Sequence, residues 1–250
     1  ESEVVHVAEQ ELRVPWEDVF ESIDPKPLAA GTIAQVHRAT LENGDRVVVK
    51  VQRPTARTEI EQDLALLEMF AQKVGRRHAL NQVVDMEAVF KHLSTSLQRE
   101  LDFRQEIENI SQMQVVLADY DRLAVPSVYR ELSTGRLLVM EEIQGVHISK
   151  APDGSERVEA ARQLLESFYK QIIVEGFFHA DPHPGNLMWW KDRIYLLDFG
   201  MVGAVDANVR EHLLLLLMAL WKEDAVFLSD VVLMMAGSLD RSDLDVPRFQ

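Results

Sequence analysis

One stretch in the second half of the chain constrains its fold most. Asp181 and Asn186 stand five residues apart in HADPHPGN, and Asp198 follows twelve residues after Asn186 in the run DFG. The apolar residues at 187–188 and 194–197 predict a short hairpin between them. Such a hairpin would place Asn186 and Asp198 on one wall. An amide and a carboxylate suit Mg²⁺, which prefers oxygen ligands and takes few protein groups.

The same order of residues is typical of protein-kinase catalytic loops. There an aspartate orients the attacking hydroxyl, an asparagine five positions later binds magnesium, and the aspartate of Asp-Phe-Gly binds it as well. We therefore predict that Asp181 is catalytic and that Asn186 and Asp198 are metal ligands. Alternatively, HADPHPGN is only a proline-rich turn, a reading that Asp198 at the expected distance disfavours. His183 in this loop either binds substrate or stabilises the turn.

A lysine and a glutamate complete the predicted phosphate site. Lys50 lies within the strand-like run RVVVKV, and a lysine buried in a strand is costly unless it is paired. Kinases use such a lysine on the nucleotide phosphates and hold it with a helical glutamate. We choose Glu106, and we expect Asp102 to share its helix face. The alternatives are a solvent-facing lysine on an edge strand and a solvated acidic helix.

Two further segments are predicted to contact a nucleotide. The small residues between the first two strands occupy the place of a glycine-rich phosphate loop, although its usual glycines are missing. A tight packed turn would have the same composition. Backbone groups of Glu141 and Ile143, in a predicted hinge, would read the base, although an ordinary strand end would look alike. The predicted loop residues are Ala29, Ala30, Gly31, Thr32, Ile33, Ala34, Gln35, Val36 and His37.

The order of predicted elements indicates an α+β, protein-kinase-like fold with two lobes. Asn43-Gly44 predicts a hairpin before the strand that carries Lys50. We predict a small antiparallel β lobe with helices over residues 1–140, a hinge over 141–145 and a mainly helical lobe over 146–250. Within these, we expect strands at 125–130 and 136–142. We expect helices at 59–75, 85–117 and 156–175, and from residue 208 onward.

Composition excludes several functional classes. The net charge of −15 disfavours a nucleic-acid partner. The absence of cysteine excludes disulfides and thiolate chemistry. The longest apolar run, residues 213–221, is too short to span a membrane, and we expect it to be core. The first residues show no secretory leader, and we expect the chain to be a piece of a longer, cytoplasmic protein.

Taken together, the motifs resemble the UbiB (AarF-like, ABC1-like) family of atypical protein-kinase-like proteins. The matching pieces are AAGTIAQVHRA, VVVKVQRP, ELDFRQEIEN, HADPHPGNL and LLDFGMVG, which occur in family order over residues 27–205. The resemblance implies that Lys50 and the loop 29–37 contact ATP, that Glu106 pairs with Lys50, and that Asp198 and Asn186 bind Mg²⁺. It also implies that Glu100 and Asp102 form the family's Glu-x-Asp element.

The resemblance further implies an ATP-dependent kinase or ATPase that supports isoprenoid-quinone biosynthesis. Its partners would be a nucleotide and a lipid or quinone-pathway intermediate. Membrane contact, peripheral or anchored, would come through segments outside this chain. The sequence departs from the family in lacking the Lys-x-Gly-Gln element and the apolar carboxyl-terminal segments. Gly31 also stands where alanine is typical, which leaves the preference for ATP or ADP open.

Two other functions compete with this reading. An aminoglycoside- or choline-type phosphotransferase shares an Asp-x-His-Pro-x-Asn loop, but the alanine-rich loop and the Glu-x-Asp block favour the UbiB type. A nucleotide-gated scaffold that binds lipid or protein partners is the other alternative. The filled catalytic positions argue against that scaffold.

Overall fold

The computed structural model describes residues 2–75, 94, 95, 97 and 101–235 of the 250-residue chain. Its α-helices are α1 (Ser2–Leu12), α2 (Ala56–Gly75), α3 (Phe103–Val116), α4 (Ser155–Tyr169), α5 (Ala207–Trp221) and α6 (Ala225–Met235). Its strands are β1 (Phe20–Ile23), β2 (Ala29–Ala30), β3 (Ala34–Leu41), β4 (Arg46–Gln52), β5 (Leu123–Ala124), β6 (Leu137–Glu141), β7 (Val146–His147), β8 (Phe177–His179), β9 (Leu187–Trp190), β10 (Arg193–Leu196) and β11 (Val202–Ala204).

A five-stranded antiparallel sheet forms the amino-terminal part. β4 lies between β3 and β6, while β1 and β2 both pair with β3. The predicted hairpin between β3 and β4 is confirmed. Gly44 adopts φ +84° and its N–H donates to the carbonyl of Leu41 at 2.8 Å. Glycine reaches this conformation at little steric cost, which explains why Asn43-Gly44 marks the turn.

Strand β4 separates the two sides of this sheet. Val47, Val49 and Val51 are buried in a cluster with residues of α1 and β1. Because side chains alternate along a strand, Val48 and Lys50 face the other side, where they line a cavity. The ammonium of Lys50 therefore points into the cavity because Lys50 alternates with the buried valines of β4.

The carboxyl-terminal part is mainly helical and carries two small sheets. One has the strand order β5-β10-β9-β7, and the other pairs β8 with β11. Helix α4 continues into a π-helical segment, Lys170–Glu175, which ends at Gly176 with φ +67°. A left-handed glycine is a common way to end a helix, and here it leads directly into β8 and the predicted catalytic loop.

Helix α3 joins the two parts. Its buried residues Ile107, Ile110 and Met113 belong to one core cluster that also holds Leu138 of β6 and Leu196 of β10. The helix that carries Glu106 is therefore fixed by apolar packing on both the sheet and the carboxyl-terminal strands. Burial of this kind stabilises by roughly 25 cal/mol per Å² of apolar surface.

Several elements differ from the sequence-based predictions. Residues 125–130 were expected to form a strand, but only Val128 makes a bridge, to Met140, and a 3₁₀ turn begins at Arg130. Helix α1 and strand β1 were not predicted. Part of the helix expected over 85–117 lies outside the described residues. None of the helices that the structure describes is long and apolar enough to cross a membrane.

Candidate active site

A cavity of about 710 Å³ opens between the five-stranded sheet and the loops that precede β9 and follow β10. Most of the residues predicted to form the site line this cavity. They are Ala29, Ala30, Gly31, Ile33, Ala34, Val36, Lys50, Glu106, Glu141, Ile143, Asp181, Asn186 and Asp198. Segments far apart in the chain therefore converge on one cleft, whose size suits a small-molecule ligand.

Lys50 and Glu106 form a buried ion pair in the cavity wall. The Lys50 Nζ lies 2.8 Å from Glu106 Oε2 and 3.7 Å from Asp198 Oδ1. Burial by itself lowers the pKa of Lys50, but the carboxylates of Glu106 and Asp198 outweigh burial and raise it. Lys50 therefore stays charged and presents a cation to the cavity.

The carboxylate of Glu106 is negatively charged, and its burial makes this charged form less favourable. Burial raises its pKa, and the ammonium of Lys50 opposes that shift. The pair lies under the ring of Phe103, whose centroid is 5.3 Å from the Lys50 Nζ. Each of these two desolvated charges offsets part of the other's desolvation penalty.

The loop from Asp181 to Asn186 is held by its own hydrogen bonds. The backbone N–H of Asp181 donates to Nδ1 of His179 at 3.1 Å, and the Asn186 amide donates to Asp181 Oδ2 at 3.3 Å. His183 accepts a hydrogen bond from the N–H of Gly185 at 3.0 Å, which stabilises the turn. The hydrogen bond from Asn186 to Asp181 orients the side-chain amide so that its nitrogen faces the carboxylate of Asp181.

A backbone bond brings the two predicted metal ligands together. The N–H of Leu197 donates to the carbonyl of Asn186 at 3.0 Å and extends the pairing of β9 with β10. Asp198 comes next, with its side chain 51% exposed, and its Oδ1 accepts from the N–H of Gly200 at 3.0 Å. The hairpin that the sequence predicted is the reason that Asn186 and Asp198 are neighbours.

The donor set fits magnesium better than a metal bound by protein alone. In the part of the chain that the structure describes, no cluster of three or more His, Cys, Asp or Glu side chains could hold an ion. One amide oxygen and one carboxylate leave most coordination positions to water and phosphate oxygens. That arrangement is the usual one for Mg²⁺ beside a nucleotide.

His179 and Phe199 pack against each other next to the predicted catalytic and metal-binding residues. Their ring centroids are 5.0 Å apart, and both side chains are buried. Burial lowers the pKa of His179, with opposition from the carboxylates of Asp198 and Asp181. The imidazole is therefore neutral near pH 7, with Nδ1 as the acceptor for Asp181.

Part of the predicted phosphate loop faces away from the cavity. Thr32, Gln35 and His37 are not among the lining residues. The ring of His37 is 2% exposed, and Nδ1 bonds the carbonyl of Asp24 at 2.8 Å. For Gln35 and His37 this follows from alternation in β3, which directs Ala34 and Val36 to the cavity and their neighbours to the other face. Thr32 precedes the strand. Nucleotide contact by these three residues stays a prediction from the resemblance.

Gly31 needs no special backbone conformation. Its φ is outside the positive range that favours glycine, and an added Cβ would meet only the carbonyl of Ala34, at 3.7 Å. The loop therefore has room for the alanine that is typical of the family.

The acidic block before α3 is split between two places. Asp102 is the N-cap of α3 and accepts from the N–H of Arg104 at 3.1 Å, a role that stabilises a helix start. It does not share the inward face of Glu106, because the helix begins after it. Glu100 lies outside the described residues.

The sequence did not predict Val48 as a site residue, nor the side-chain contacts of Met140 and Glu142 at the predicted hinge. Val48 and Met140 line the cavity beside the predicted hinge, and Glu142 ties that hinge to the sheet through Arg38 and Arg46, both at 2.8 Å. Strand alternation around Lys50 would have found Val48. The contact of Glu142 joins residues 104 positions apart, and no local pattern predicts it.

Comparison with known proteins places these features in a family. The sequence pattern of the ABC1 atypical kinase-like domain matches residues 1–231. A probable protein kinase UbiB from Pseudomonas putida is 34% identical over 229 residues, which are 88% of this chain and 42% of that protein. The chloroplastic protein Activity of BC1 Complex Kinase 8 of Arabidopsis thaliana is 34% identical over 97% of this chain and 33% of its own length.

A solved structure shares the fold. The complex of Rv3197 with erythromycin, from Mycobacterium tuberculosis, resembles this fold with a TM-score of 0.69 and 26% identity. The match covers 92% of this chain and 59% of that chain. The present chain therefore spans less than two thirds of each of these relatives.

Proposed function

Because the chain belongs to the ABC1 atypical kinase-like family, we propose that its cavity binds ATP with Mg²⁺ and promotes hydrolysis of the terminal phosphoanhydride or transfer of that phosphoryl group. The observation that carries the proposal is the position of the Lys50 Nζ. It lies 2.8 Å from Glu106 and 3.7 Å from Asp198 on one cavity wall. A fixed cation beside a half-exposed carboxylate is the arrangement that a metal-bound triphosphate requires.

Each residue has a defined task in this proposal. Lys50, held by Glu106, neutralises charge on the α- and β-phosphates. Asn186 and Asp198 would hold Mg²⁺, which would supply positive charge to stabilise the phosphates. Asp181 orients water or an acceptor hydroxyl for in-line attack and takes up its proton. Positioning and electrostatics supply most of the rate, as is usual in phosphoryl transfer.

The base of the nucleotide belongs between the sheet and the hinge. Val36, Val48 and Met140 supply apolar lining to the cavity. Backbone groups of Glu141 and Ile143 would read the base edge. The small residues Ala29, Ala30 and Gly31 allow the backbone to approach the phosphates closely.

The pathway is proposed from the relatives. One of them is described as a probable UbiB kinase, and we place this chain in the support of isoprenoid-quinone biosynthesis with a lipid or quinone-pathway intermediate as partner. Contact with a membrane would come from parts of the whole protein beyond this chain.

Thermal unfolding with ATP, ADP and GTP, each with and without Mg²⁺, tests nucleotide binding. Ligand at 100 times its Kd stabilises the native state by about 2.7 kcal/mol. For a domain of this size that corresponds to a rise in Tm of roughly 5–10 °C. We expect this rise with Mg–ATP and a smaller one without the metal. No shift with any nucleotide would contradict the proposal.

Phosphate release by wild type and Asp198→Asn tests the chemistry. The variant keeps the shape of the side chain but loses the charge that holds the metal, so we expect at least a hundred-fold slower release (about 3 kcal/mol of barrier). Equal rates would favour a nucleotide-gated scaffold. Efficient transfer to an aminoglycoside or to choline by the wild type would favour the small-molecule phosphotransferases instead.

A further inference from the structure

Asn109 of helix α3 makes a long-range contact with the metal-binding turn. Its side-chain amide donates to the backbone carbonyl of Phe199 at 2.9 Å, across 90 residues of sequence. Asn109 is three residues after Glu106, so the two side chains lie on one face of α3. The helix that holds Lys50 through Glu106 therefore also holds the turn Asp198-Phe199-Gly200.

The contact acts on one particular peptide group. The carbonyl of Phe199 and the N–H of Gly200 belong to the same planar peptide. The carbonyl accepts from Asn109, and the N–H donates to Asp198 Oδ1 at 3.0 Å. The orientation of this peptide therefore decides whether its N–H can hold the Asp198 carboxylate.

Hydrogen bonds on the two ends of a peptide strengthen each other. A donor on the carbonyl polarises the group and makes its N–H a better donor. The Phe199 ring is fully buried, so the turn is held by this side chain and by the Phe199–Gly200 peptide.

We infer that Asn109 is a positioning residue that sets the Asp198 carboxylate for magnesium. It touches neither substrate nor metal, and it acts through the Phe199–Gly200 peptide. The inference rests on the proposed function, in which Asp198 is a metal ligand. It predicts that loss of the Asn109 amide weakens the use of magnesium and leaves metal-free nucleotide contacts at Lys50 intact.

The test is a magnesium titration of ATP binding, followed by thermal unfolding or by a fluorescent ATP analogue. Asn109→Leu keeps the approximate volume and removes the donor without adding charge. We expect the magnesium midpoint, the Mg²⁺ concentration that gives half of the full effect on ATP binding, to rise about five-fold. This factor corresponds to one lost hydrogen bond. The affinity for ATP in the absence of magnesium should stay within two-fold of wild type. A variant whose fold is disrupted would instead lose affinity for ATP with and without magnesium.

A matched control lies on the same helix. Gln112→Leu makes the same kind of exchange at an exposed position of α3, and its midpoint should equal that of wild type. Asn109→Ala removes the same donor with less bulk and decides the question if the leucine variant does not unfold cooperatively.

The outcomes separate the inference from the function it rests on. If wild type binds Mg–ATP and both Asn109 variants titrate like wild type, Asn109 is not a positioning residue. The same conclusion follows if their metal-free ATP affinity falls as much as the magnesium midpoint rises. If wild type shows no magnesium-dependent binding, the proposed function fails and the inference fails with it.

Discussion

Lys50 and Glu106 are charged residues in a place where charge is costly. Their side chains are only 16% and 5% exposed, and a buried ion without a partner costs several kcal/mol. Each is tolerated because the other is present at hydrogen-bond distance from it. An ion pair of this kind contributes little net stability, and its value lies in holding a cation at the cavity wall.

Removal of one partner should therefore cost more than removal of both. Lys50→Met leaves Glu106 buried and unpaired, and we expect a loss of about 3 kcal/mol in the free energy of unfolding. The double variant Lys50→Met, Glu106→Leu should recover most of that loss. Urea unfolding of the single and double variants measures the difference.

An exposed pair supplies the control. Glu108→Gln weakens the pair with Arg130, in which the two side chains are 66% and 52% exposed, and should cost far less stability than Lys50→Met. A double variant that is no more stable than Lys50→Met would show that the pair is not held by mutual compensation.

His179 makes the protein sensitive to acid. Burial lowers its pKa below the ordinary value of 6.5, so the unfolded chain binds a proton more readily than the native state. The stability that follows is present above pH 6.5 and is lost as the pH falls from there through the lower native pKa. Protonation at Nδ1 also removes the acceptor for the N–H of Asp181.

Urea unfolding at pH 7.5 and pH 5.5 measures this effect. His179→Gln has no titrating group at this position, so we expect its stability to change less between the two pH values than that of wild type. His6→Gln, at an exposed position of α1, should behave like wild type. A steeper loss in His179→Gln than in wild type would reverse the assigned sign.

At the scale of elements, Glu142 joins the predicted hinge to the sheet. Its carboxylate accepts from Arg38 of β3 and Arg46 of β4. Its backbone N–H also donates to the carbonyl of Arg46 at 3.1 Å. Glu142 is buried while both arginines are about half exposed, so solvent screens the pairs only on one side.

We expect Glu142→Gln to lower the free energy of unfolding by about 1–2 kcal/mol. The amide carries no negative charge and has one acceptor oxygen instead of two, so one of the two arginine bonds is lost. The substitution should also weaken nucleotide binding, since Glu141 and Ile143 on either side lose a fixed position. The exposed Glu131→Gln is the control for a changed net charge. Unchanged stability and affinity in Glu142→Gln would mean that the hinge is held by packing alone.

The elements that could be predicted are those with a strong local signal. The strand around Lys50 was identified from β-branched residues, and Gly44 marked the hairpin before it. The strands β8 and β11 were missed because they have three residues each and exist only through pairing with each other. Residues 125–130 have an apolar pattern, but only a short part of this segment lies along the edge strand β6, where Val128 makes a single bridge to Met140.

The site was predictable where chemistry fixes the spacing of residues. One short loop and the hairpin after it carry Asp181, Asn186 and Asp198. Their spacing in the sequence was therefore enough to predict that they lie close together. Asp102 was expected beside Glu106, but capping placed it at the helix start. Asn109 was not singled out, because its partner is a backbone carbonyl and leaves no mark in the sequence.

At the scale of the whole molecule, helix α3 connects the separate parts that line the cavity. The helix packs on β6 and on the carboxyl-terminal strands in one core cluster. It bonds Lys50 through Glu106 and Phe199 through Asn109. This one helix therefore fixes the position of the Lys50 ammonium relative to the turn that carries Asp198.

The most direct test is a crystal structure of this chain with Mg²⁺ and a non-hydrolysable ATP analogue. We expect the Lys50 Nζ within hydrogen-bond distance of an α- or β-phosphate oxygen, and magnesium bound by Asn186 and Asp198 at about 2.1 Å. A nucleotide bound outside this cavity, or a metal held without either Asn186 or Asp198, would contradict the central claim.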